Sequence, residues 1–104
     1  MDSRQMYQAT NHLSSIINWD KDWIHFGTEE QIKFDLIEKL IDDNINSQDI
    51  LFIQERTNSK KCDRSEIIDL IRPSLGKKNF QIWTMTLEKV IEFNKIGVLR
   101  LGQK

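Results

Sequence analysis

A single cysteine, Cys62, leaves no internal disulfide to form, and this agrees with a reducing compartment. No apolar run approaches the roughly 20 residues that a membrane-spanning helix needs. The opening MDSRQMYQ has no basic segment ahead of an apolar one, so no secretory signal is expected and the predicted address is cytoplasmic. The four glycines, Gly27, Gly76, Gly97 and Gly102, fit neither a dinucleotide-binding pattern nor a phosphate-binding loop. Gly27 precedes a predicted helix start, a generic anion site, but Glu29 and Glu30 there would repel a phosphate. The two histidines, His12 and His25, stand far from each other and from Cys62 in the sequence, with no metal-ligand spacing. Asp20, Asp22 and the Asp42-Asp43 pair lack the repeated ligands and central glycine of a calcium loop. No cofactor, metal or catalytic residue is therefore assigned, and the chain is not expected to be an enzyme. A small hydrolase with a carboxylate pair remains a distant third reading.

What is present is ample core material. The 104 residues are 38% hydrophobic and 30% charged, with three tryptophans and five phenylalanines. That is the size and composition of one globular domain, 1–104, with 1–18 as a peripheral helix. The net charge of −1 conceals an asymmetry. Residues 1–55 hold eleven acids and four bases, a balance of −7, and residues 56–104 hold eleven bases and five acids, a balance of +6.

The spacing of Ala9, Leu13, Ile16 and Ile17 predicts a first helix over Ser3–Asn18, capped by Ser3. Trp23–Phe26 reads as a short strand ended by Gly27. Thr28–Ile45 is the clearest helix, expected to start at a capping box of Thr28 and Gln31. Its apolar side carries Ile32, Leu36, Ile37, Leu40 and Ile41, and Gln31, Asp35, Glu38 and Asp42 run down the opposite side. Asp49–Gln54 contains ILFI, a buried strand, and Glu55–Lys61 reads as a flexible loop with Asn58-Ser59 at its tip. Asp63–Glu66 resembles a second capping box ahead of a short helix that Pro73 ends and Gly76 caps. Phe80–Met85 is a strand with Phe80, Ile82 and Thr84 on one face and Gln81, Trp83 and Met85 on the other. In the tail Leu87–Leu101, Leu87, Val90 and Ile91 with Glu88 and Glu92 would suit one or two helical turns, but a hairpin is favoured because Val90, Ile91, Phe93 and the IGVL run are strand formers. The sum is an α/β fold: an N-terminal helix, then β-α-β-α-β and a C-terminal β-hairpin, forming a mixed sheet packed by helices. Right-handed β-α-β crossovers would make neighbouring strands parallel.

With no chemistry assigned, contact with another molecule is the function left to read. The candidate partner-binding residues are Gln31, Asp35, Glu38 and Asp42, with Trp19, Asp20 and Asp22 at the margin. An acidic helix face beside aromatics suits a basic protein surface. The alternative is a nucleic-acid-associated module using the basic second half. There Lys60-Lys61 and Lys77-Lys78, read as loops, would meet near Phe80 and Trp83.

The segments FGTEEQIKFDLIEKLI, ILFIQ, CDRSEIIDLIRP, FQIWT and EKVIEFNKIGVLRLG, in that order, resemble small bacterial immunity proteins. These are the antidotes encoded beside polymorphic or contact-dependent toxins. The resemblance implies a non-enzymatic inhibitor that plugs the active site of a cognate toxin domain, often a basic nuclease. It carries no residue-by-residue motif, so the binding residues above rest on the helix wheel alone.

Overall fold

Ile50, Phe52, Ile82, Ile91, Phe93 and Leu99 are β-branched, aromatic or aliphatic residues on alternate positions of four strands, and together they form one buried face of a sheet. The computed structural model describes residues 2–104. Its helices are α1 (Ser3–Ser14), α2 (Phe34–Asn44) and α3 (Ile67–Ile71). Its strands are β1 (Asn18–Trp19), β2 (Ile24–His25), β3 (Asp49–Glu55), β4 (Asn58–Asp63), β5 (Phe80–Thr84), β6 (Lys89–Asn94) and β7 (Val98–Gln103). All seven join a single sheet in the order β1-β7-β6-β5-β3-β4, with β2 also paired to β7. The α/β class, the N-terminal helix and the C-terminal hairpin are as the sequence predicts.

Every ladder among the described residues is antiparallel, which corrects the expectation of parallel neighbours. The reason lies in the segment read as a flexible loop. Asn58–Asp63 turns back at Arg56-Thr57 and pairs with β3 as an edge strand, so the next element starts from the opposite end of the sheet. Both β4 and β5 run antiparallel to β3 and flank it, and α3 carries the chain across between them. Trp23–Phe26 supplies only the two-residue β2, which continues the edge begun by β1 instead of lying beside β3.

Helices cover both sides of the sheet. One side packs against α2 and α3, through Ile37, Ile41, Ile67 and Ile71, all with no exposed surface. Phe26, Phe80 and Phe93 sit in the same layer, and the Phe80 and Phe93 rings stack with centroids 4.6 Å apart. On the other side, Leu51, Ile53, Trp83 and Val90 pack under Met6 of α1 and under Ile17.

The helix ends differ from the sequence reading. The α1 cap is a capping box between Asp2 and Gln5, one residue before the expected Ser3. The helix stops at Ser14, and its buried positions are Met6 and Thr10, while Ile16 is exposed. Ending there lets Ile17 reach the core and lets Asn18 and Trp19 pair with β7. The capping box at Thr28 does not form. Glu29–Gln31 is a 3-10 turn, and regular α-helix begins at Phe34. The left-handed Gly27 (φ 96°) and Glu29 (φ 54°) fold this turn back so that the Lys33 amide donates to the Phe26 carbonyl at 2.8 Å. At Asp63 the carboxylate accepts from the Ser65 amide, a local turn in place of a box closed by Glu66.

Candidate functional site

On α2, burial of Ile37 and Ile41 fixes the helix rotation, so Asp35, Glu38 and Asp42 necessarily point outward. All three are exposed, as is Gln31 in the preceding 3-10 turn. They are not equivalent. Arg64 donates to Asp42 Oδ1 from both Nε, at 3.1 Å, and Nη2. The other ion pair among the described residues is Arg100–Glu92, so Asp35 and Glu38 have no cationic partner.

Trp19 is not at the margin of this row. It sits over Gly102 on the α1 side of the sheet, and its Nε1 donates to the Ser14 carbonyl at 3.1 Å. The sheet therefore separates Trp19 from α2. Asp20 and Asp22 are exposed in the loop between β1 and β2, where the Asp20 amide donates to the Leu101 carbonyl.

A second group of polar residues occupies the Trp19 side of the sheet. Strand register sets Gln81, Glu92 and Arg100 directly opposite one another across β5, β6 and β7. Gln81 Nε2 donates to Glu92 Oε2 at 2.9 Å, and Arg100 Nε donates to Glu92 Oε1 at 3.0 Å. Behind Gln81, the wholly buried Trp83 donates its indole N–H to Gln81 Oε1 at 2.9 Å. The Arg100 guanidinium lies 4.2 Å from the Trp19 ring and 4.7 Å from that of Trp23. Composition and helix wheels could not reveal this row, because it exists only once the three strands are in register. One signal was available: in the predicted hairpin, Glu92 and Arg100 stand equally far from Ile96 at the turn. Beside the row, a cleft of about 250 Å³ opens between α1 and strands β3, β5 and β6.

Of the residues of the nucleic-acid alternative, Lys77 and Lys78 lie exposed in the loop before β5 as expected, whereas the aromatics and the other lysine pair do not lie where that reading places them. Phe80 and Trp83 are buried in opposite layers, so neither offers a ring for a base to stack on. Lys60 and Lys61 belong to the β4 edge strand rather than a loop, and Arg100 is committed to Glu92. Lysines on an exposed edge are a common guard against strand addition.

Two groups titrate away from their ordinary values. Burial, followed by the negative charge of Glu66, pushes the Cys62 thiol up to about 11, leaving it protonated at neutral pH. The Ser65 hydroxyl, the Gln48 amide and the Ser65 backbone N–H hold the Asp63 carboxyl below its ordinary value. His12 and His25 are both exposed, and no group of three potential metal ligands occurs among the described residues. No helix there is long and apolar enough to cross a membrane.

Compared with known protein families, curated proteins and solved structures, the chain finds no significant match.

Proposed function

We propose that this protein is a non-enzymatic inhibitor of the immunity type, which neutralises a cognate bacterial toxin, such as a nuclease, by covering its basic active-site surface. The observation that carries the reading is the outer side of α2. Asp35 and Glu38 are exposed and have no cationic partner among the described residues, on a helix whose inner side is locked into the core. Carboxylates on such a rigid element lose little entropy on binding and steer a basic partner toward them. Asp42, already paired with Arg64, contributes less, and Gln31 extends the surface by one turn. On this reading the protein works in the cytoplasm of a bacterium that uses contact-dependent growth inhibition. Its resemblance to the antidotes of such systems lies in size, layout and this acidic face.

The test is calorimetric titration of the toxin domain encoded by the adjacent gene into this protein and into its Asp35→Lys/Glu38→Lys variant. Both substituted positions are exposed, so circular dichroism of the variant should match that of the parent. Affinity should fall about a hundredfold in the variant and weaken with salt in the parent. Equal affinities at low salt would remove α2 from the interface.

A further inference from the structure

β4 forms one edge of the sheet, so alternate main-chain groups along it point away from β3. Register settles which ones. The Arg64 amide donates to the Gln48 carbonyl at 2.7 Å, and these two residues continue the β3–β4 ladder by one pair. The amides of Cys62 and Lys60, two and four residues back, therefore also turn inward to β3. Those of Ser59, Lys61 and Asp63 turn outward. Ser59 agrees with this phase, because its amide donates to the Ser3 hydroxyl at 2.9 Å. The start of α1 thus closes one end of the edge, and the outward main chain of Lys61 and Asp63 is the open part.

Lysine side chains keep most strands off such an edge, but here the charge alternates. Lys61 and Asp63 lie on the same face of β4, and neither has an ion-pair partner among the described residues. Asp63 is oriented only by neutral groups, the Gln48 amide and Ser65, so its negative charge is not cancelled. A second copy laid antiparallel along β4 can bring the outward groups together in three central registers. Centring the pair on Lys61 sets lysine against lysine, and centring it on Asp63 sets aspartate against aspartate. Centred on Cys62, Lys61 of each copy faces Asp63 of the other, twice over, and the small neutral Cys62 faces itself. On the opposite face, Lys60 of one copy comes level with Arg64 of the other, whose guanidinium is already turned to Asp42. An open groove of about 380 Å³ runs beside Cys62 on that face, with Glu66 and Asp69 on its helical wall to receive Lys60.

We propose that two copies of this chain join edge to edge through β4, in the register centred on Cys62, to form one continuous sheet. The proposal does not rest on the inhibitor reading and is tested without a toxin. The open stretch is short, so the dimer is a weak one, with a dissociation constant on the order of 100 µM.

Sedimentation equilibrium of the full chain, from about 10 µM to about 1 mM, should show monomer giving way to dimer, less readily as salt rises. Over the same range, amide hydrogen exchange at Lys61 and Asp63 should slow more than at Ser59, which is already bonded to Ser3. Lys61→Glu sets like charges against each other at both symmetry-related places and should weaken the dimer about tenfold. Asp63→Lys should do the same. An equal mixture of the two variants restores opposite charges at both places and should dimerise as the parent does. Asp63 also caps the turn into α3, so circular dichroism checks that its variant keeps the fold. Lys61→Glu and the exchange measurement decide the matter without it. A chain that stays monomeric at about 1 mM, or a dimer that Lys61→Glu leaves untouched, would overturn the proposal. So would exchange at Lys61 and Asp63 that does not change with concentration.

Discussion

Arg100 and Glu92 face each other across β7 and β6, with Nε 3.0 Å from Oε1, and the guanidinium is at the same time stacked against Trp19 and Trp23. The arginine thus ties the edge formed by β1 and β2 to the centre of the sheet. Arg100→Ala should destabilise the protein by about 2 kcal/mol, because it removes two cation–π contacts and leaves Glu92 half-satisfied. Arg100→Lys should recover only part of this, since an ammonium lacks the plane that lies against the indoles. Urea unfolding followed by tryptophan fluorescence measures both. A lysine variant as stable as the parent would show that charge alone is required.

Ser3 makes a comparable tie at the other edge. Its hydroxyl donates to the Arg56 carbonyl at 2.8 Å and accepts from the Ser59 amide at 2.9 Å, fixing the start of α1 to the β3–β4 turn. Ser3→Ala should cost about 1 kcal/mol and speed hydrogen exchange at Ser59. Exchange at Ser59 as slow as in the parent would show that β4 holds its edge position without α1.

These two ties mark the limit of what the sequence could disclose. The hairpin from Lys89 to Gln103 was legible because Val90, Ile91, Phe93 and Leu99 are strong strand formers around a turn with Gly97. The strand Asn58–Asp63 was not. As an edge strand it buries Ser59 and half-buries Cys62, so NSKKCD has no alternating apolar residues to show. The acidic side of α2 could be read from the wheel, since Ile37 and Ile41 fix its orientation from within the helix. The pairing of Asp42 with Arg64, and the position of Trp19 across the sheet, depend on contacts between residues far apart in sequence.

The turn ahead of α2 depends on Gly27. At φ 96° the residue occupies the left-handed region, and an added Cβ would overlap the Gln31 carbonyl oxygen. Gly27→Ala should lower stability by about 2 kcal/mol or more and disturb the fold-back that orients α2. Thermal unfolding measures it, and a loss below the scatter of surface substitutions would mean that the turn relaxes freely.

Cys62 gives the protein a pH dependence at the alkaline end. Its thiol sits near 11 in the folded protein, above the ordinary value of 9.0, because burial and then Glu66 disfavour the thiolate. The folded state therefore binds the proton more tightly than the unfolded chain. The resulting stability is fully present below pH 9 and is lost as pH rises through 11. Cys62→Ser should flatten this part of the stability profile. Iodoacetamide should label the native thiol far more slowly at pH 8 than the urea-unfolded one, and equal rates would contradict the protected site.

The central claim, inhibition of a toxin by contact, is tested most directly by co-expressing this chain, tagged, with its neighbouring gene and recovering it under rising salt. The account predicts that a small basic domain co-elutes in a 1:1 complex and that the host survives only when both proteins are made. A host that grows normally with the neighbour alone, together with recovery of this protein unaccompanied, would contradict it.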